Sequence, residues 1–152
     1  FTLPELLVVF VVLAIGAVFS VFLLRPVSYD LDELEAERRL VAAETLQMLA
    51  AYHAEHGAWP DGVTPEAKTI GSLEGHLNLC PLLVPAYGND LPVDILTGTR
   101  TEGESGELTE KTCAEENVAY DTGVRVARSP DGEHVTVTIP QLSDLSEIKI
   151  TR

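Results

Sequence analysis

Positive charge is scarce in this sequence. Ten Lys and Arg residues stand against 24 Asp and Glu in 152 residues, a formal net charge of −14. Such a chain repels nucleic acid and anionic lipid unless a local patch reverses the sign, so no direct nucleic-acid binding is expected. No charged side chain at all lies between Glu5 and Arg25. Cysteine is nearly absent too. Cys80 and Cys113 belong to no CxxC pair and to no Cys/His cluster of zinc-ligand spacing, which removes the usual zinc site. There is no Gly-rich phosphate loop, and no Ser/His/Asp or Cys/His arrangement is suggested. Two of the four histidines, His53 and His56, fall at an expected helix end, where a cation is favourable without any catalytic role. The chain is therefore not read as an enzyme, and no cofactor is expected. It has no internal repeats and no acidic run long enough for a disordered tail.

What the chain does have is one long apolar run. Leu6–Leu24 is nineteen uncharged residues, which as a helix span roughly 29 Å at 1.5 Å per residue. That matches a hydrocarbon thickness of about 30 Å. Residues 1–26 are expected to form an apolar transmembrane or filament-core helix. Glu5 is then anomalous, because a carboxylate deep in lipid costs on the order of 3 kcal/mol. It needs either a counter-charge or a place at an interface. The chain begins at Phe1 with no basic stretch ahead of its apolar core. Cleavage on the cytoplasmic side of the core would leave that pattern, unlike a secretory signal cut after it.

Residues 27–152 provide for one small domain of roughly 100 residues. Beyond residue 24 there are 23 acids against 10 basic residues, a charge that keeps an exposed protein soluble. If this part lies outside the cytoplasm, an oxidising compartment favours a Cys80–Cys113 bridge. Closing that loop of about 34 residues is worth roughly 3.8 kcal/mol in the chain-entropy model. The alternative is a pair of reduced, buried thiols.

Pro4 suits a first helical turn. Pro26 would cost about 3 kcal/mol inside a helix, which predicts a kink or opened turn near residues 22–26. The helical pattern resumes at about Asp30 and runs to about His56, with acids at its start and Gly57 and Pro60 at its end. Two stripes run along it. Leu31, Leu34, Val41, Thr45, Met48, Leu49 and Tyr52 make an ordinary core face. Nearly opposite, Ala36, Leu40, Ala43, Gln47, Ala50 and Ala54 follow spacings of four and three. These form a small-residue seam that would admit a second helix closely; the plainer reading is that the alanines merely raise helix propensity. Residues 57–117 read as a loop region with one or two short elements, including the polar stretch TGTRTEGESGELTEKT. Asp90, Asp94, Glu102, Glu104 and Glu107 there offer oxygen ligands for calcium but share no recognised spacing, and solvated acids explain them equally. VRVAR (124–128), a turn at Pro130–Gly132 and HVTVTI (134–139) read as a hairpin, and EIKIT (147–151) as a last strand. The fold class is α+β: a long N-terminal helix, apolar then amphipathic, packed on a small antiparallel sheet over residues 118–152.

Together these residues resemble the type IV pilins, including the pseudopilins of type II secretion. FTLPELLVV matches a mature pilin start, YHAEHGAWP (52–60) is similar to the end of a pilin helix, and LPVDILTG and RSPDGEHVTVTI are similar to pilin sheet regions. The match is closest over residues 1–25 and architectural beyond residue 60. The sequence departs from the family pattern in Pro4, in the position of Pro26, and in Cys113, which lies well before the C-terminal strand. The resemblance implies a structural subunit of an extracellular filament, a helical homopolymer built by packing N-terminal helices. It implies that a prepilin peptidase exposes Phe1 for N-methylation. The subunit would rest in the cytoplasmic membrane before a pilus assembly machinery extracts it to the cell surface. Glu5 would face the Phe1 α-amino group of a neighbouring subunit, each charge reducing the other's desolvation cost. Ala36, Leu40, Ala43, Ala50 and Ala54 would pack against neighbouring helices. The alternatives are a pseudopilin of a secretion or competence apparatus, and a monomeric membrane-anchored binding module.

Overall fold

The computed structural model describes residues 31–100, 108–115 and 118–152. Phe1, Glu5, the apolar run Leu6–Leu24 and the expected kink at Pro26 lie outside the described residues, as do Glu102, Glu104 and Glu107. Among the described residues, no helix is long and apolar enough to cross a membrane.

Helix α1 spans Leu31–His56. Asp32 and Glu33 lie in its first turn and His53 and His56 in its last, each sign matched to the helix dipole. Gly57 ends it. With φ at +69° Gly57 adopts the left-handed conformation that costs glycine nothing, and its N–H donates to the His53 carbonyl at 2.8 Å. The end is the one the sequence predicts. The buried side consists of Arg38, Ala42, Thr45, Leu46, Met48 and Leu49. Thr45, Met48 and Leu49 are in the expected core stripe. Leu31, expected with them, is 50% exposed, and the core face is rotated toward Arg38, Ala42 and Leu46. A buried arginine causes the shift, because in sequence a charge marks a solvated face.

Beyond α1 come β1 (Lys68–Gly71), α2 (Cys80–Leu83), β2 (Asp90–Leu91), β3 (Thr99–Arg100), β4 (Leu108–Thr109) and α3 (Glu110–Ala114). They are followed by β5 (Tyr120–Arg128), β6 (Val135–Ile139) and β7 (Ile148–Thr151). The main sheet is antiparallel in the order β1-β5-β6-β7, with β3 also pairing to the start of β5. β2 and β4 form a separate two-stranded pair. The hairpin β5–β6 and the last strand lie where the sequence predicts them. The sheet is nevertheless larger than expected, since β1 and β3 come from the region read as loop. Four residues (KTIG) and two residues are too short to show a period-2 pattern.

Alternation along β6 is plain: Val135, Val137 and Ile139 are fully buried and the threonines between them are half-buried. These side chains join Val124, Val126 and Ile148 of the sheet and Ala42, Leu46 and Leu49 of α1 in one core. Each fully buried Val, Leu or Ile contributes about 1.5–3 kcal/mol. Leu79, Leu83, Leu91 and Leu108 extend the core beneath the irregular region. Cys80 and Cys113 are joined there as a disulfide with Cα atoms 5.3 Å apart, linking α2 to α3. Asp32–Arg152 form one compact unit.

Candidate functional site

The outward side of α1 is the surface on which the sequence places helix packing. Ala36, Leu40, Ala43 and Ala54 are exposed and Ala50 is half-buried, while Arg38, Ala42, Thr45 and Leu49 on the other side contact the core. Leu40 is 58% exposed, an uncovered large apolar side chain between alanines. A row of such small residues presents little bulk, so another backbone can come close.

What holds this face outward is a buried ion pair that the sequence did not reveal. Arg38 and Asp94 are both fully buried, and Arg38 Nε donates to Asp94 Oδ1 at 3.0 Å. Arg38 Nη2 donates to the Pro140 carbonyl at 2.7 Å. Asp94 Oδ2 accepts from the Thr97 amide at 3.0 Å and from the Thr97 hydroxyl. Arg38 Nη1 has no hydrogen-bond partner among the described residues. The loop carrying Asp94 is itself fixed to the sheet: the Asp94 N–H donates to the Thr122 carbonyl, and the Gly98 N–H to the Asp94 carbonyl, both at 2.8 Å. It crosses β5 at Gly123, where φ is +71° and a Cβ would run into the Thr97 side chain and the Gly98 amide. Nearby, the Ser146 N–H donates to Glu35 Oε1 at 3.0 Å and holds that carboxyl below the usual carboxylate range.

At the other end of α1 the YHAEHGAWP stretch builds a second clasp. Trp59 is buried, its ring stacks on His53 at 4.1 Å, and its Nε1–H donates to the Gly132 carbonyl in the β5–β6 turn at 3.2 Å. That turn is tied by Gly132 N–H to Ser129 carbonyl at 2.9 Å and Ser129 N–H to His134 carbonyl at 2.8 Å. Tyr52 stacks on His56 at 4.1 Å. The Tyr87 hydroxyl donates to Glu55 Oε2 at 2.7 Å, a bond that pushes its pKa up to about 12.

The calcium reading does not survive at Asp94, whose carboxylate is committed to Arg38 and Thr97 inside the core. Asp90 is exposed on β2. Asp131, Glu133 and His134 place one ligand atom each within 4.8 Å of one another, all exposed. The Asp131 carboxylate there already accepts from the Ser129 hydroxyl and the Glu133 amide and shapes the turn. Burial pushes the Tyr120 hydroxyl up to about 12, and this hydroxyl donates to Asn78 Oδ1 at 2.6 Å. Arg38 and Gly123 are structural supports that sequence reasoning missed, and for Trp59, within the quoted YHAEHGAWP, it did not foresee the bond to Gly132. The signals were there in the Asp-x-x-Thr-Gly spacing and the lone tryptophan.

Compared with protein-family models, with curated proteins and with solved structures, the chain finds no match in any of the three.

Proposed function

We infer that the chain is a type IV pilin-like subunit of an extracellular filament, held in the cytoplasmic membrane until assembly and then polymerised with identical copies through its N-terminal helices. The observation that carries this reading is the stretch FTLPELLVV, in which Glu5 is the lone acid ahead of nineteen uncharged residues from Leu6 to Leu24. A single carboxylate at the edge of an apolar helix is explicable as the counter-charge for a neighbour's α-amino group, which also sets the axial register. The long helix on an antiparallel sheet supports the reading, as does the uncovered small-residue face from Ala36 to Ala54. In this scheme Phe1 is exposed by a prepilin peptidase and N-methylated, and the acidic unit serves structure rather than catalysis.

The test is Glu5→Leu in a cell that makes the filament. Removing the charge makes membrane insertion easier, so the subunit should accumulate, folded and inserted, while electron micrographs show few or no fibres. Abundant fibres of ordinary length from Glu5→Leu cells would contradict the reading.

A further inference from the structure

Two of the ten basic residues, Arg125 and Lys149, lie on the outer face of the sheet, and Arg128 at the end of β5 lines the same hollow. Arg125 of β5 lies directly opposite Thr138 of β6, and Thr138 directly opposite Lys149 of β7. Alternate residues of a strand share a face, and Val124, Val126, Val137 and Ile148 occupy the core. Arg125, Thr138 and Lys149 therefore face away from α1. With Arg128 they line a shallow hollow of about 320 Å³, in which Glu147 is the one carboxylate. All three cations are exposed, and among the described residues none of them makes an ion pair. In a chain of net charge −14 this is a local reversal of sign.

The opposite surface has the complementary charge. On α1, Glu33, Glu37 and Glu44 are exposed at spacings of four and seven, which keeps them on one flank beside the small-residue face. Asp90 adds a further exposed carboxylate, lining with Glu44 a smaller hollow of about 220 Å³. Glu37 and Glu44 are roughly 10.5 Å apart along the helix at 1.5 Å per residue. Arg125 and Lys149 are two strand spacings apart, roughly 9.6 Å. The two faces lie on opposite sides of a helix layer and a sheet layer, so one copy cannot bring its own together.

We propose that the outer sheet face of one copy, through Arg125, Arg128 and Lys149, docks on the Glu37–Glu44 flank of α1 in a second copy. The contact is heterologous, joining different patches on the two partners, and such contacts continue into open chains unless the rotation closes a ring. It also orients subunits, because like faces repel. The inference takes its setting from the filament reading, but it concerns only the described unit.

The experiment mixes isotopically light and heavy copies of the full chain in detergent micelles and adds a carbodiimide, which joins an amine to a carboxylate in direct contact. Peptides joining Lys149 of one isotope to Glu37 or Glu44 of the other are expected. Their yield should fall roughly tenfold between about 0.01 M and about 1 M salt, as the Debye length contracts from about 30 Å to about 3 Å. Lys149→Glu should abolish the link, and Lys149→Glu combined with Glu44→Lys should restore it with the polarity exchanged. Lys149 linked only within one copy, linked to acids outside α1, or linked independently of salt would overturn the proposal. So would failure of the charge exchange to rescue, including the case in which the sheet face instead retains duplex DNA. Because Glu5 is untouched, a negative result here leaves the filament reading standing, and fibres from Glu5→Leu cells would leave this contact standing.

Discussion

Arg38 and Asp94 tie together segments that are 56 and 102 residues apart in sequence, the second through the Pro140 carbonyl. Two buried charges are costly to desolvate, and their attraction offsets that cost only while both are present and hydrogen-bonded. Arg38→Met should therefore destabilise the full chain by about 3–5 kcal/mol, because the Asp94 carboxylate is left buried without a cation. Arg38→Met combined with Asp94→Leu should lose less than that single change. Urea unfolding of the detergent-held chain reads both, and a loss below about 1 kcal/mol for Arg38→Met would place the pair in the class of surface bridges. This pair marks a limit of legibility. An arginine inside a helical repeat reads as solvated, and only the tertiary placement of Asp94, Thr97 and Pro140 makes its burial tolerable. Glu5, by contrast, was conspicuous because nothing charged surrounds it.

Among the elements, those with a strong period were legible and the short ones were not. The 26 residues of α1, the alternation VTVTI and the turn at Pro130–Gly132 all sit where periodicity and turn chemistry put them. β1 and β3 did not, since strands of four and two residues owe their existence to β5 rather than to their own sequence. The candidate packing face was legible for the same reason as α1, while the two clasps that orient it were not. The Cys80–Cys113 bridge was legible from the cysteine count on the condition of an oxidising compartment, and it joins α2 to α3, the least regular part of the unit. Replacing both cysteines with serine should cost up to about 3.8 kcal/mol by the chain-entropy account. Hydrogen exchange should show residues 80–83 and 110–114 losing protection before α1 or β6. Equal loss throughout the sheet would mean that the bridge supports the main core rather than this region.

At the largest scale described, the unit Asp32–Arg152 sets one helix against one sheet, and the two sides of α1 differ. The inward face of α1, centred on Ala42, Thr45 and Leu49, belongs to the core, and on its outward face Ala36, Leu40, Ala43 and Ala54 are exposed and Ala50 half-buried. A bulky residue outward should leave the unit folded and prevent close approach of a neighbouring helix, where overpacking costs about 1–3 kcal/mol at every contact. A bulky residue inward should do the reverse. The direct measurement is therefore made on two full-length variants, Ala43→Trp and Met48→Trp, by a thermal melt in detergent and by electron microscopy of cells expressing each. The account predicts that Ala43→Trp melts with the parent chain yet yields no fibres, whereas Met48→Trp melts several degrees lower. Normal fibres from Ala43→Trp, or early melting of Ala43→Trp with an unchanged Met48→Trp, would contradict it.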